Sequence, residues 1–142
     1  MSAEDPHDLG RFVSAQDSVF ETAVGELVAG RKRTHWMWFV FPQVAGLGHS
    51  PMAQAYAIGS LQEARDYLAH PVLGPRLLEC TRALLGHAGR SAQDVLGGID
   101  ALKLRSSITL FARADPDQPL FAQVLEQFYG GEPDVRTDRL LG

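Results

Sequence analysis

With 142 residues, the chain has the length of one domain with its own core rather than two. Hydrophobic residues make up 45% and charged residues 21% of it, values that exclude a disordered, collagen-like or coiled-coil chain. The 13 basic and 17 acidic side chains give a net charge of −4, which disfavours nucleic-acid binding and requires any anion site to be local.

Apolar residues recur at helical spacing, and the breaks fall at Gly, Pro and capping residues. The predicted helices, in chain order, run from Asp5 through Val13, from Asp17 to Gly30, from Ser60 to His70, from Pro75 to Gly86, from Ser91 to Gly97, over residues 99–113, from Gln118 to Gly130, and, weakly, from Asp134 to Leu141. Ser60 with Glu63, and Ser91 with Asp94, have the spacing of capping boxes. Every interruption is short, so we predict a single helical domain over residues 1–142.

Residues 36–41 form the one β-like run of the chain, with the sequence Trp-Met-Trp-Phe-Val-Phe. No second β-rich run is available to pair with it, and a lone strand would leave its backbone groups without partners. We therefore predict a buried helical turn or an extended core segment here. The predicted fold is all-α, a bundle of about six to seven helices around a central one.

Residues 99–113 are the predicted central helix, because apolar positions surround it on nearly all sides. Leu104, Ile108 and Phe111 are typical of the deepest positions in such a helix. We expect residues 99–111 to be the most buried helical segment of the protein.

Asp100, Lys103 and Ser107 follow one edge of that helix, at i, i+3 and i+7. Two interpretations are open. In the structural one, Asp100 and Lys103 form an ion pair, and Ser107 bonds to a backbone carbonyl. In the functional one, Asp100 holds Lys103 in place as an anchor for an anionic ligand. We then expect Lys103 to share a cleft with His35 or a neighbouring loop residue.

Residues 31–43 carry three successive basic residues, a histidine and four of the twelve aromatic residues. Arg31 and Lys32 would hold a phosphate or carboxylate, and Trp36 or Trp38 would offer a stacking face for a base or a sugar. Alternatively, the basic residues form a solvated loop and the aromatic residues are core. Two Trp one residue apart cannot share a helical face, so we expect one of them away from the deepest core.

No pattern in the chain indicates a metal or a cofactor. The five histidines never occur at metal-ligand spacing, and the segment from Gly46 to Pro51 is predicted to be a loop rather than a phosphate cradle. Cys80 is expected to be a buried helical residue, and a lone cysteine fits a reducing compartment. Because the chain also lacks a secretory pattern and a membrane-spanning apolar run, we expect a cytoplasmic protein.

Several segments occur in an order that resembles a known family: Asp8-Leu9-Gly10-Arg11-Phe12, residues 30–39, Phe41-Pro42-Gln43, Gly46-Leu47-Gly48, residues 100–111, and Gly130 to Thr137. Over nearly its whole length the chain is similar to an uncharacterised bacterial family, the domain of unknown function numbered eighteen-ten. The segment His35-Trp36-Met37-Trp38 makes the match specific. Members are often labelled calpastatin, but calpastatin acts from disordered repeats, whereas this chain has a globular composition and no repeat.

The resemblance implies a small, mainly helical domain without an established activity. On the motifs that match, the candidate site residues are Lys32, His35, Trp36, Trp38, Gln43, Asp100, Lys103 and Ser107. We predict that a small anionic ligand, a nucleotide or another phosphorylated metabolite, binds between residues 31–43 and residues 99–111. If the protein is an enzyme, His35 is the candidate proton carrier, although no reaction type follows from the sequence. The alternative is a non-catalytic module that binds a protein through the basic and aromatic loop.

Overall fold

Helices account for all the regular secondary structure in the computed structural model, which describes residues 5–142. The helices are α1 (Gly10–Asp17), α2 (Phe20–Ala29), α3 (Met37–Val40), α4 (Pro51–Ala55), α5 (Leu61–Ala69), α6 (Leu73–Leu85), α7 (Ala92–Leu96), α8 (Gly98–Ala114), α9 (Pro119–Tyr129) and α10 (Val135–Leu141). No strand occurs in this range, so the all-α prediction is confirmed. The predicted helix number was too low because α3 and α4 are short.

Local signals explain where most helices begin and end. Gly30 ends α2 in the left-handed conformation, with φ at 75°, which glycine adopts without a steric penalty. Ser91 and Asp94 form the reciprocal capping box predicted for α7. Ser60 caps α5 as expected, but the carboxylate of Glu63 accepts from the N–H of Gly59 instead of completing a box.

A tertiary contact explains that difference at α5. The guanidinium of Arg11 on α1 lies 2.9 Å from the Glu63 carboxylate and also donates to the carbonyl of Ala57. The ion pair is largely shielded from water and ties α1 to the start of α5. It thereby holds the Glu63 carboxylate in a position that the local spacing does not dictate.

The aromatic run 36–41 forms the single helical turn α3 and no strand. Trp36 and Phe41 are fully buried, whereas Trp38 is half-buried. The separation of the two indoles into a buried and a partly exposed one is therefore confirmed. Residues 46–50 form a loop as predicted, but the helix that follows, α4, has no apolar stripe and was missed.

Helix α8 crosses the centre of the molecule and contacts α5, α7, α9 and α10. It buries nine of its seventeen residues, more than any other helix here, and Leu104, Ile108 and Phe111 are fully covered. The prediction of a central buried helix is confirmed for this part. At its amino end, however, Ile99 and Leu102 are 74% and 68% exposed, because no neighbouring helix in the described range covers their side chains.

None of the helices in the part of the chain described here is long and apolar enough to cross a membrane.

Candidate functional site

A cleft of about 410 Å³ lies between the segment before α3 and the amino end of α8. Its walls are formed by Lys32, His35, Met37, Trp38, Leu96, Gly97, Gly98, Ile99, Asp100 and Lys103. The basic and aromatic segment thus meets the polar edge of α8 across an open space. Lys103 and His35 face this same cleft.

Glu26, near the end of α2, fixes the segment that forms one wall. One carboxylate oxygen of Glu26 accepts from the N–H groups of Arg33 and Thr34 and from the indole N–H of Trp36, and the other accepts from the Thr34 hydroxyl. Burial alone would raise the pKa of Glu26, but these hydrogen bonds outweigh it and lower the pKa to about 2. Glu26 is therefore charged at neutral pH and holds the loop that carries His35.

Lys32 is a structural member of the cleft wall. Its side chain is only 7% exposed, and its ammonium lies 2.8 Å from the Asp100 carboxylate and donates to the carbonyl of Thr34. Its backbone N–H also donates to Val95 on α7. These contacts join the loop to the end of α7 and the beginning of α8, so the two walls of the cleft are rigidly connected.

Lys103 is held less tightly than Lys32. Its ammonium lies 3.8 Å from Asp100, beyond hydrogen-bond distance, and 4.9 Å from the centre of the Trp38 ring. Within residues 5–142 no oxygen accepts a hydrogen bond from this ammonium, and its side chain is 25% exposed to the cleft. Asp100 therefore pairs more closely with Lys32 than with Lys103, and the Lys103 ammonium keeps protons that no acceptor in residues 5–142 binds.

The amino end of α8 supplies open backbone donors to the same cleft. Gly97 precedes the helix with φ at 89°, and no side chain caps it. The N–H groups of Gly98, Ile99 and Asp100 have no acceptor among the described residues. Free N–H groups at the start of a helix carry partial positive charge and favour an anion.

The remaining predicted residues lie outside this cleft. Trp36 is fully buried and donates to Glu26, so its ring is not accessible for stacking. Arg31 is exposed and does not line the cleft. Ser107 lies fully buried one turn beyond Lys103, and the backbone bond expected for it is wrong, because its hydroxyl has no partner in the described range.

Gln43 lines a second cleft of about 370 Å³ that borders the first. This second cleft shares Ile99 and Lys103 with the first one. Its other residues come from the loop after α3, from α8 and from the start of α10. Lys103 therefore stands on the ridge between two neighbouring depressions.

Sequence reasoning missed Glu26 and the open end of α8. Glu26 looks like an ordinary polar residue of an amphipathic helix, and no spacing rule links it to the backbone of Arg33 and Thr34. The Gly97-Gly98 pair does carry a signal, because a helix that is preceded by glycine at the cap position lacks a capping side chain. In the sequence, the same glycines also have the pattern of an end to α7.

Comparisons with other proteins place the chain beside relatives whose activity is not known. The model of a family described as "Protein of unknown function (DUF1810)" matches residues 6–141. Among solved structures, the fold is similar to that of the conserved hypothetical protein Rv1873 from Mycobacterium tuberculosis, with a TM-score of 0.95 and 55% sequence identity. That match covers 96% of this chain and 98% of the other. No curated protein matches the chain.

Proposed function

We propose, from the geometry of the cleft, that this protein, which belongs to the family of proteins of unknown function DUF1810, binds a small anionic ligand. Membership of the family does not by itself assign an activity. The ligand class is a nucleotide or another phosphorylated metabolite. It occupies the space between residues 31–43 and residues 99–111.

The observation that supports this proposal is that the Lys103 ammonium has no carboxylate within hydrogen-bond distance in residues 5–142. An ammonium on a largely buried helix is normally paired, exposed to bulk water or bound to a ligand. Asp100 does not neutralise Lys103 alone, because it is already paired with Lys32 at 2.8 Å. The two lysines and the one carboxylate leave a net positive charge in the cleft, which an anion would balance.

Two further features support an anion with a ring attached. The unpaired N–H groups at the start of α8 would donate to phosphate oxygens, as helix amino ends commonly do. Trp38 forms an apolar wall beside Lys103 and would contact a base or a sugar. A phosphate and an adjoining ring would therefore both find suitable contacts.

The same geometry favours ligand binding over a protein-binding loop. A protein-binding hot spot would require an exposed indole, but Trp36 is buried and Trp38 is half-buried within the concave cleft. His35 lines the cleft, yet in residues 5–142 no carboxylate orients its ring. We therefore propose binding, and no reaction.

The test is to titrate the protein with adenosine 5′-monophosphate and, separately, with inorganic phosphate. Binding is measured by calorimetry and by the rise in melting temperature. Lys103→Met removes the charge but keeps the length that covers Trp38, and Asp100 retains Lys32 as a partner. We expect at least about tenfold weaker nucleotide binding by this variant, since a charge-assisted hydrogen bond contributes about 1.5–3 kcal/mol. Tryptophan fluorescence should change on binding in the natural protein and not in Trp38→Phe.

Arg82→Met is the matched control, because Arg82 is exposed on α6 and its loss changes the net charge equally. This variant should bind like the natural protein. Equal affinities for Lys103→Met and the natural protein, or no binding of either probe, would overturn the proposal.

A further inference from the structure

We infer that the ligand carries a second anionic group, which occupies the second cleft, so that one molecule spans the ridge at Lys103. This inference rests on the proposed function, because it assigns the first anionic group to the first cleft. It identifies the ligand class as a molecule with two separated phosphates or carboxylates and an uncharged middle. A nucleoside with a phosphate on each side of the sugar has this form.

Continuity between the two clefts is the first argument. Ile99 and Lys103 line both, and the two spaces, of about 410 and 370 Å³, are each large enough for part of a nucleotide. Lys103 lacks a hydrogen-bond acceptor within the described chain and stands where the two spaces meet. A ligand that crosses this point would contact Lys103 with its middle or with either charged end.

Charge in the second cleft is the next argument. Lys103, Arg105 and Arg136 line it, and Asp134 is the one acidic residue among the lining residues. Arg105 is engaged, since it donates to the carbonyl of Glu132 and lies 3.5 Å from its carboxylate. Arg136 is exposed and forms no ion pair or hydrogen bond with any residue from 5 to 142, so it is available to an anion.

The Asp134 carboxylate keeps its negative charge, but it is bonded to the protein itself. One of its carboxylate oxygens accepts from the hydroxyl of Ser106 at 3.1 Å and from both the N–H and the hydroxyl of Thr137. Its backbone N–H donates to Thr109 on α8. These bonds hold the start of α10 against α8. Arg136 is an exposed residue of this segment.

Exposed apolar side chains line the path between the two charged regions. Ile99 and Leu102 are 74% and 68% exposed on α8, more than any other large hydrophobic residue among residues 5–142. They would contact the uncharged middle of the ligand, whereas the side-chain amide of Gln43, which has no hydrogen-bond partner among residues 5–142, would bond to its polar edge. Lys103, which lines both clefts, and Arg136 in the second cleft, together with the exposed Ile99 and Leu102, suit a ligand with two anionic groups.

The experiment compares adenosine 5′-monophosphate with adenosine 3′,5′-bisphosphate by calorimetry on the full chain. We expect the bisphosphate to bind about tenfold more tightly, because its second phosphate gains a charge-assisted contact with Arg136. Arg136→Met should reduce that advantage to less than about twofold and should weaken the bisphosphate much more than the monophosphate. Lys103→Met should weaken both nucleotides.

Arg139→Met serves as the control on the same helix, because Arg139 is exposed and lies outside the second cleft. This variant should retain the full preference for the bisphosphate. If the monophosphate binds but the bisphosphate binds no better, or if Arg136→Met keeps the preference, the second subsite is refuted and the proposed function stands. If neither nucleotide binds, both the inference and the proposed function fail.

Discussion

Replacing Glu26 by glutamine tests how the wall of the first cleft is held. In Glu26→Gln the side-chain oxygen can still accept from the N–H groups of Arg33 and Thr34 and from the Trp36 indole. The new amide N–H₂ would face the Thr34 hydroxyl, which can accept as well as donate. The substitution therefore removes the charge and preserves the shape, so its effect reports electrostatics rather than packing.

The expected magnitude follows from the pKa of Glu26. A folded-state pKa of about 2, against an ordinary value of 4.5, corresponds to at most about 3 kcal/mol of stability at neutral pH. The carboxylate is partly accessible to water, so screening reduces the expected loss in Glu26→Gln to about 1–2 kcal/mol. The loop that carries His35 should also become more mobile, which would weaken ligand binding in the first cleft.

The dependence on pH has a definite sign. Because the folded-state pKa of Glu26 is lowered, its contribution is fully present above pH 4.5 and is lost as the pH falls towards 2. The measurement is the free energy of unfolding in urea for both proteins across this window. The difference between them should be largest near neutral pH and should shrink steadily below pH 4.5.

Glu21→Gln on the same helix is the control, because Glu21 is exposed and forms no hydrogen bond through its side chain in the described range. We expect it to change stability by a few tenths of a kcal/mol. If Glu26→Gln loses as much free energy of unfolding at pH 2.5 as at pH 7, or no more than Glu21→Gln does, the charge of Glu26 does not stabilise the loop.

Three further predictions concern the packing of the fold. Gly74→Ala should destabilise the protein by about 1–3 kcal/mol in urea unfolding, because the added methyl would collide with the carbonyl oxygen of Leu68. Gly25→Ala, where the methyl meets no neighbour within 4 Å, should stabilise α2 by about 0.5–1 kcal/mol, and a loss there would contradict the open space described. Burial raises the pKa of the Cys80 thiol to about 12, so a thiol reagent at pH 8 should modify the unfolded chain and leave the folded one unmodified over the same time.

Secondary structure was largely determined by local sequence. A glycine at position 30 ends α2, Ser91 with Asp94 begins α7, and Pro119 lies in the first turn of α9, each for a reason confined to a few residues. Apolar periodicity likewise identified α8 as the helix with a buried centre. These features depend on contacts within one or two turns, so the sequence alone contains the information.

Tertiary contacts decided the rest of the fold. The sequence left a helical turn and an extended core segment both open for the run 36–41, and the structure has the helical turn α3, with the Trp36 indole bonded to Glu26. The exposure of Ile99 and Leu102 could not be read from their spacing, because they belong to the same apolar pattern as the buried residues of α8. One end of this apolar pattern is exposed to solvent only because of where the neighbouring helices lie.

The candidate site, like the fold, was predictable from the sequence only in part. The sequence identified Asp100 and Lys103 as charged residues on a mostly apolar helix and Lys32 as part of a basic and aromatic segment, and both are local properties of composition. It did not determine that Asp100 pairs with Lys32 more closely than with Lys103, since Asp100 and Lys32 lie on segments far apart in the chain. Helical spacing specifies which side chains share a face, but the strength of an ion pair depends on the distance across the cleft, and the packing of the loop against α8 sets that distance.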